Sequence, residues 1–292
     1  MISFIFCSRV KDNPDSNVQR LLDTAVEYIR PDERDKVEFL IKYDDDDDAR
    51  PPDSFFARYP FAIRTFTWGR GEGRHYLHHA QEYLFAQRDP RSRWCVMTAD
   101  DFFFIRDGFI GEILDIKDEF CIIGHTRPQI ELFAGDYESE ERVRHWIRTF
   151  GAWSPVVSTR LIEVCQNFGW QANVDSWLMA LTIVLYDLYG IILWRMQDMF
   201  IARGGGYGLG DTPTYNNMEL TCQKGPFNRY WFELLRRQAR NIYLNMEHGT
   251  EHTVTWTHHP RMLWRRVCAQ PLRRLPGRLY RRVRRDIGAL LA

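Results

Sequence analysis

The chain has 292 residues, of which 45% are hydrophobic and 27% are charged, and its 39 basic and 39 acidic residues balance at neutral pH. This length and composition allow a substantial buried core and are typical of a soluble globular protein. The six cysteines include no C-x-x-C pair and mostly lie in apolar surroundings, which favours reduced core residues in a cytoplasmic protein over a disulfide framework.

Strands and helices alternate in the first part of the chain. Residues 2–7 are an apolar run that predicts a buried strand rather than a secretory signal, because Arg9 and Lys11 follow the run instead of preceding it. Residues 17–29 carry apolar side chains at helical spacing. The next predicted elements are strands at 37–43 and 61–66, a helix at 74–87 and a strand at 94–98. The alternation predicts an α/β fold with a mostly parallel sheet and helices on both faces.

Five consecutive aspartates, Asp44 to Asp48, directly follow the second predicted strand. Such a block repels itself unless water or cations neutralise it. Asp44 and Asp45 stand at the carboxyl end of the strand, where open α/β sheets gather their ligands. Asp46, Asp47 and Asp48 are instead predicted to form a solvated loop. The block lacks the glycine and the spaced glutamate of an EF-hand, which argues against a calcium loop.

A second acidic pair, Asp100 and Asp101, lies between the apolar residues 94–97 and the run Phe102 to Phe104. Two anions beside a core are costly unless a cation or several hydrogen bonds satisfy them. A Mg²⁺ or Mn²⁺ ion is the simplest partner, because Mg²⁺ is usually held by one or two carboxylates together with water and substrate phosphates. The alternative is a turn in which one of the two carboxylates only caps a helix predicted at residues 105–114.

The order of these segments resembles the GT-A-fold glycosyltransferases that use nucleotide sugars, particularly the inverting, polysaccharide-building kind, over about the first 200 residues. The resemblance implies that an aspartate after the second strand, Asp44 or Asp45, holds the nucleobase of the donor. It also implies that the DxD element of the family falls at Thr98-Ala99-Asp100. Asp100 would then be the main ligand of a Mn²⁺ or Mg²⁺ ion on the donor diphosphate, and Asp101 the second. Thr98 departs from the pattern, so one ligand position has moved or been lost.

The resemblance also points to a general base. Family members carry an acidic residue at the start of a helix beside the acceptor, and Asp175, in Asn173-Val174-Asp175, fits that place. An acceptor hydroxyl is a poor nucleophile near neutral pH, and a positioned carboxylate can remove its proton as it attacks the anomeric carbon. Asp175 has a second role open to it, as the N-cap of a helix that runs to Tyr189 and that Gly190 ends, and the two roles can coexist.

Other residues are assigned to the donor and acceptor from their places in the pattern. Ser8 and Arg9 end the first strand, and Arg74 opens the helix that follows a glycine-rich stretch, so all three are expected at the donor nucleotide or its diphosphate. Trp153 is expected to stack on an acceptor sugar, with simple packing as its alternative.

The predicted function is therefore transfer of a sugar from a nucleoside-diphosphate sugar to a glycan or lipid-linked acceptor. A nucleotidyltransferase of the same fold is the nearest rival enzyme. It would begin with a glycine-rich loop carrying Lys or Arg after the first strand, and residues 7–14 contain no glycine. A non-catalytic membrane-associated scaffold is the rival from another class, and the incomplete DxD element keeps it open.

The chain is predicted to form a catalytic domain at residues 1–215, with a donor half at about 1–105 and an acceptor half at about 106–215, and a helical extension at 216–292. Residues 261–292 hold ten arginines and one aspartate, and leucines interleave with the arginines. This pattern is typical of a basic amphipathic helix on an anionic membrane surface, so the expected location is the cytoplasm, with peripheral attachment at the inner membrane face. Nucleic acid is the less favoured polyanion, and folding back onto the acidic body is the structural alternative.

Overall fold

A computed structural model describes residues 1–11, 17–69, 76–126, 154–166, 174–203 and 227–249. The chain divides into two compact units, Met1–His252 and Thr253–Ala292, and every described residue belongs to the first unit. The basic tail at 261–292 and the domain boundary at residue 215 lie outside the described residues, so both stay predictions.

Nine strands form two sheets in the described part of the chain. The strands are β1 (Ile2–Ser8), β2 (Val37–Asp44), β3 (Ala62–Trp68), β4 (Trp94–Met97), β5 (Phe102–Phe104), β6 (Ile122–Thr126), β7 (Val156–Ser158), β8 (Trp194–Asp198) and β9 (Ile201–Arg203). The main sheet has the order β3-β2-β1-β4-β7-β6-β8, in which β7 is antiparallel to both neighbours and the other pairs are parallel. The small sheet pairs β5 with β9. The predicted α/β fold is confirmed.

Helices flank the main sheet. They are α1 (Val18–Tyr28), α2 (Asp53–Phe56), α3 (Tyr76–Ala86), α4 (Phe109–Asp115), α5 (Thr159–Cys165), α6 (Val174–Tyr189) and α7 (Phe227–His248), with a 3-10 helix at Pro31–Lys36. Helix α1 begins at Asn17, whose Oδ1 accepts a hydrogen bond from the N–H of Arg20 at 2.8 Å and so satisfies one of the donors left over at a helix start. Its buried face is the predicted apolar stripe, Val18, Leu21, Leu22 and Ala25.

The central strands are buried on both faces, which explains their long apolar runs. Every residue of β2 is buried. Alternate residues serve two core clusters: Phe4 and Phe39 stack at 5.1 Å in the cluster that contains α1, while Ile5 and Leu40 belong to the cluster on the other side. Each fully buried side chain of this kind contributes about 1.5–3 kcal/mol.

The connection order creates a switch point between β1 and β4. From β1 the chain adds β2 and then β3 on one side, and β4 afterwards joins the opposite side of β1. In open α/β sheets, ligands bind outside the carboxyl ends of the strands at such a point. The residues that follow β1 and β4 are therefore the first candidates for a ligand site.

The segment after β4 differs from the prediction. A helix is predicted at 105–114, but α4 starts only at Phe109, after Gly108 with a φ of 76°. Phe102 to Phe104 form β5 instead, and the N–H of Ile105 donates to the carbonyl of Phe200 at 2.9 Å. The rings of Phe109 and Phe200 stack at 4.2 Å, a contact between residues distant in sequence that local periodicity does not reveal.

The helix before β8 ends where it is predicted to end. Helix α6 stops at Tyr189, and Gly190 follows with a φ of 70°, a conformation that glycine adopts at no steric cost. Strand β8 starts at Trp194, which pairs with Ile122. The apolar residues at 191–193 connect the two elements, and most of β8 itself is polar.

The described cysteines are free thiols: Cys7, Cys95, Cys121 and Cys165. All but Cys7 are buried, as the sequence predicts. Burial raises the pKa of the Cys121 thiol to about 12, so this thiol stays protonated at neutral pH. None of the helices in the described residues is both long enough and apolar enough to cross a membrane.

Candidate active site

The carboxyl ends of β1 and β4 are joined by a buried hydrogen bond. The hydroxyl of Ser8 donates to Oδ2 of Asp100 at 2.7 Å, and the two residues are only 3% and 5% exposed. The main chain is fixed at the same place, because the N–H of Asn17 donates to the carbonyl of Asp100 at 3.0 Å and the N–H of Thr98 donates to that of Ile5 at 3.2 Å. Two predicted donor-site residues thus meet at the switch point of the sheet.

Neither Asp100 nor Asp101 caps helix α4, so this alternative is wrong. The helix has Gly108 as its N-cap, without a capping side-chain hydrogen bond, and β5 lies between it and the two aspartates. Asp101 is half-buried, while Asp100 is buried. The N–H of Phe102 donates to the carbonyl of Ala99 at 3.3 Å, which places both aspartates in a tight turn between β4 and β5.

Thr98 stands where the first carboxylate of a DxD element would be. Its side chain is 8% exposed and its Oγ1 lies 3.1 Å from the hydroxyl oxygen of Ser154, which is itself buried. A hydroxyl pair of this kind joins the end of β4 to the residues that precede β7. At the position of the first DxD carboxylate, this chain therefore has a threonine hydroxyl that contacts Ser154.

At the end of β2, Asp44 is held between two cations. Its Oδ1 accepts a hydrogen bond from Nζ of Lys42, and its Oδ2 accepts one from the Arg9 guanidinium at 2.9 Å. Lys42 is fully buried and Asp44 is 2% exposed. The Lys42 ammonium also lies 5.1 Å from the ring centroid of Trp68, a favourable cation–π geometry. A buried charge is costly without a partner of opposite charge, and Lys42 and Asp44 are such partners for each other.

The rest of the acidic run binds the loop that follows β1. Arg9 donates to both carboxylate oxygens of Asp46, at 2.6 and 3.1 Å, and the hydrogen bonds hold the pKa of Asp46 below its usual value. Asp47 accepts hydrogen bonds from the N–H groups of Val10 at 2.7 Å and Lys11 at 3.1 Å. The predicted solvated loop is wrong for Asp47, which is 3% exposed, because these two main-chain donors replace water.

Asp45 differs from its neighbours in the run. It is exposed, and no hydrogen bond or ion pair with the described residues engages its carboxylate. Its N–H donates to the carbonyl of Trp68 at 3.2 Å, so its main chain is fixed at the ends of β2 and β3. A Cβ added at Gly69 would lie 3.4 Å from its Oδ2, which means that a glycine keeps the space beside the carboxylate narrow but open.

Two protonated groups lie beneath these carboxylates. Burial, aided by the nearby Asp100, raises the pKa of the Tyr43 phenol, and Tyr43 pairs in register with Ser8. Partial loss of hydration also raises the pKa of the half-buried Cys7 thiol to about 12, although the neighbouring Lys42 ammonium opposes the shift. Both groups therefore stay neutral across the physiological pH range, and the charges of the site belong to the aspartates, Lys42 and Arg9.

The described residues fit a divalent ion only if a ligand completes its coordination. No group of three or more His, Cys, Asp or Glu side chains among them could hold a metal by itself. Asp100 and Asp101 nevertheless offer carboxylate oxygens, the ligands that Mg²⁺ and Mn²⁺ prefer, and Mg²⁺ is commonly held by one or two carboxylates plus substrate phosphates. The donor set suits an ion that binds together with a diphosphate.

Three predicted site residues are described in part or not at all. Asp175 is the second residue of α6, one position inside the helix rather than at its N-cap, and its side chain is not described. Arg74 and Trp153 lie outside the described residues. Lys42 was not among the predicted site residues. Its signal was a lysine inside a buried strand, two positions before an aspartate and hence on the same face.

Comparisons with known proteins support the fold. No protein-family model matches the sequence, and no curated protein does. Among solved structures, a mannosyltransferase from Pyrobaculum calidifontis in complex with GDP-Man and Mn²⁺ is similar, with 14% identity and a TM-score of 0.50 over 85% of this chain and 76% of that one. This chain has a GT-A-like α/β fold. S. aureus TarS in complex with UDP-GlcNAc aligns at 11% identity and a TM-score of 0.47, covering 90% of this chain and 78% of TarS.

Proposed function

We propose that the chain is a metal-dependent glycosyltransferase that moves a sugar from a nucleoside-diphosphate sugar to a glycan or lipid-linked acceptor. The observation that carries this proposal is the Ser8–Asp100 hydrogen bond at the switch point between β1 and β4. It puts a carboxylate at the place where sheets of this kind bind ligands. The mannosyltransferase with the same fold holds GDP-Man and Mn²⁺, which supports a nucleotide sugar as the donor class.

Asp45 is the residue that we assign to the nucleobase. Asp44, the other candidate, already accepts hydrogen bonds from Lys42 and Arg9 in a buried setting. Asp45 is exposed at the joined ends of β2 and β3, so its carboxylate can accept hydrogen bonds from the donor N–H groups of a base. Arg9 and Asp44 then act by shaping the loop after β1.

Asp100 and Asp101 would hold a Mn²⁺ or Mg²⁺ ion on the donor diphosphate, with Asp100 as the main ligand. The ion, when bound, would neutralise negative charge on the departing diphosphate. Ser8 orients Asp100 through its 2.7 Å hydrogen bond, and the Asn17 N–H fixes the main chain of the same residue. Arg74, before helix α3, is assigned to the diphosphate as a further cation.

Asp175 is assigned as the general base of an inverting reaction. In this step the acceptor oxygen forms a bond to the anomeric carbon, and the bond from that carbon to the diphosphate oxygen breaks. The acceptor proton passes to the carboxylate, and the electron pair leaves with the nucleoside diphosphate. Asp175 lies in the first turn of α6. Trp153 would stack on the acceptor sugar.

The arginine-rich residues 261–292 would attach the enzyme to an anionic membrane surface on the cytoplasmic side. Each basic residue near such a surface contributes about 1 kcal/mol, and salt screens the attraction. Sedimentation with anionic vesicles tests this part of the proposal. Full-length protein should bind at low salt and a chain truncated after residue 260 should not, while transfer to a small soluble acceptor is unchanged. Full-length protein that ignores the vesicles would overturn it.

A ligand screen tests the main proposal. Guanosine and uridine diphosphates are added to the full-length protein with and without Mn²⁺, and the thermal midpoint is measured. A bound ligand stabilises the folded state by RT ln(1 + [L]/Kd), about 2.7 kcal/mol at a hundredfold excess over Kd. We expect at least one diphosphate to raise the midpoint, and more strongly with Mn²⁺. If no nucleoside diphosphate does so, and no nucleotide sugar is consumed with Mn²⁺ present, the proposed function is wrong.

A further inference from the structure

Helix α7 carries a buried amide that hydrogen-bonds to two other helices at once. Gln238 is fully buried. Its Oε1 accepts a hydrogen bond from the indole Nε1 of Trp177, in α6, at 2.9 Å. Its Nε2 donates to the carbonyl of Cys165, the last residue of α5, at 3.1 Å. One side chain therefore satisfies a donor and an acceptor that lie in different helices.

Both hydrogen bonds satisfy buried polar groups. The last carbonyls of a helix have no partner within it, and α5 ends in the core, so the Cys165 carbonyl requires an outside donor. The Trp177 indole is also fully buried and requires an acceptor. Buried polar groups are rarely left without partners, and the two ends of the Gln238 amide match them with the correct polarity.

The two contacts bracket the chain that leads to Asp175. Cys165 ends α5, residues 167–173 follow in sequence, and α6 begins at Val174. Trp177 lies in the first turn of α6, two residues after Asp175. Gln238 therefore holds the point where the chain leaves α5 and the turn in which Asp175 lies.

Other described contacts join these helices at further points. At the far end of α6, the rings of Tyr189 and Tyr243 stack at 4.4 Å with an interplanar angle of 3°. One turn after Gln238, the buried Asn241 donates to the carbonyl of Val164, in α5, at 3.5 Å. Asn241 thus resembles Gln238 in burial and in its contact with the end of α5. Its described side-chain hydrogen bond goes to α5, whereas Gln238 also bonds to Trp177 of α6.

We propose that Gln238 is a positioning residue for the reaction: by holding Trp177 it sets the placement of the first turn of α6, and with it Asp175. This inference rests on the proposed function, in which Asp175 takes the acceptor proton. A base must sit within hydrogen-bond reach of the proton it removes, and a displacement of 1 Å can lower a rate by about 10²-fold. The α7 helix thereby takes part in catalysis without touching the substrate.

The test compares two full-length variants, and of these only Gln238→Met loses the hydrogen bond between α7 and Trp177 of α6. Gln238→Met keeps the side-chain volume but removes the bonds to Trp177 and Cys165, and Asn241→Leu is the matched control that removes only a bond to α5. Both are assayed well below their thermal midpoints, with kcat, donor KM and nucleoside diphosphate affinity measured. Gln238→Met should lower kcat about tenfold or more and leave nucleotide affinity within about twofold, whereas Asn241→Leu should leave kcat within about twofold.

A second variant, Trp177→Phe, decides the test if Gln238→Met does not fold, because a Trp177→Phe kcat within about twofold of the wild-type value would contradict the inference. Trp177→Phe removes the same hydrogen bond from the other side while it keeps the bond to Cys165. Its kcat should fall as well, and the double variant Trp177→Phe with Gln238→Met, where soluble, should be no slower than Gln238→Met alone, because both changes break one contact. Two independent reductions that multiply in the double variant would contradict the inference.

The failures are distinguishable. A wild-type chain that binds no nucleoside diphosphate and transfers no sugar overturns the proposed function and the inference with it. An active wild type in which Gln238→Met and Asn241→Leu have the same kcat overturns the inference alone. In that case Gln238 serves only the stability of the three helices.

Discussion

At the amino edge of the parallel sheet, Glu38 is buried, and other residues of the chain donate hydrogen bonds to both of its carboxylate oxygens. Its Oε1 accepts from the Ser3 hydroxyl at 2.6 Å and from the N–H of Asp89 at 2.7 Å, and its Oε2 accepts from the Arg64 guanidinium at 2.8 Å. At the carboxyl edge of the same strand, Asp45 is exposed, and none of the described residues forms a hydrogen bond with its carboxylate.

Neighbouring carboxylates of one acidic cluster can therefore have different roles. Asp47 behaves like Glu38, since protein N–H groups take the place of water around it, although it stands only two residues from Asp45. Density of charge in the sequence does not separate the two kinds of carboxylate. A carboxylate whose hydrogen bonds come from the fold stabilises that fold, and one that the fold leaves accessible is available to a ligand.

The largest effect is expected at Asp100. Asparagine keeps an oxygen that can accept from Ser8, so Asp100→Asn should fold normally, but it removes the charge that would hold a divalent ion. Loss of several kcal/mol of transition-state stabilisation should reduce sugar transfer by about 10²-fold or more. Transfer rates with and without a chelator provide the measurement. Asp101→Asn should have a smaller effect. If a chelator does not reduce wild-type turnover, the proposed metal dependence is wrong.

Asp175 comes next. Asp175→Asn should lower kcat by about 10²-fold and preserve nucleotide binding, because a general base acts in the chemical step and not in donor affinity. Steady-state kinetics combined with calorimetric titration of the nucleotide separate the two quantities. If turnover stays normal while stability falls by about 1 kcal/mol, Asp175 only supports the start of the helix.

Glu38 should affect stability instead of activity. Glu38→Leu removes the acceptor of the Asp89 N–H and one of two partners each of Ser3 and Arg64, which also contact Ser92 and the Gln87 carbonyl. It should lower the free energy of unfolding by about 3 kcal/mol. Nucleotide affinity at a temperature where the variant is folded should equal that of the wild type. Denaturant unfolding and titration give the two values. A Glu38→Leu variant with full stability and weakened nucleotide binding would reverse the assignment of the two edges.

The pair Asp45 and Asp47 makes the same comparison within one loop. Asp45→Ala should weaken nucleoside diphosphate binding about tenfold or more, because a charged hydrogen bond to the base is lost, and should leave the free energy of unfolding unchanged. Asp47→Ala should lower the free energy of unfolding by about 2 kcal/mol, since two main-chain N–H groups lose their acceptor. If both variants change the same quantity, the assignment of Asp45 to nucleotide binding and of Asp47 to stability is wrong.

The smallest effect concerns pH at the amino edge. Hydrogen bonds from the Arg91 side chain and N–H lower the pKa of Asp89 to about 2. A carboxyl whose folded pKa is depressed adds stability above its ordinary pKa near 3.8, and that stability is lost as pH falls toward about 2. Arg91→Ala should move the Asp89 titration, followed by NMR, toward its ordinary value. An unchanged titration would show that Arg91 is not the cause.

The sequence predicts the parallel half of the sheet because its signals are local. Strands β1, β2 and β4 have the apolar runs that two-sided burial demands, and α1 has both an apolar stripe and the Asn17 cap. The strands β6, β7 and β8 escape prediction, since β7 has only three residues and β8 is mostly polar. Their pairing is decided by contacts between distant segments, such as Ile122 with Trp194.

The positions of the candidate residues at strand ends are easier to predict from sequence than their contacts. Ser8, Asp44, Asp45 and Asp100 follow from their positions at strand ends. The hydrogen bond between Ser8 and Asp100 joins residues 92 apart in sequence, and the burial of Asp47 depends on N–H groups 36 and 37 residues away. Local pattern carries no information on such pairs, so the division of the acidic run between Arg9, Lys42 and the solvent required the structure.

A crystal structure of the full-length protein grown with a nucleoside diphosphate and Mn²⁺ tests the central claim most directly. We expect density for the base beside Asp45, with the diphosphate and a metal ion at the Asp100–Asp101 turn and no ligand near Glu38. A nucleotide bound instead in the groove of about 680 Å³ that Glu38, Arg64 and Arg91 help to line, at the amino edge of the sheet, would contradict it. So would crystals without bound nucleotide at a concentration that saturates the protein in solution.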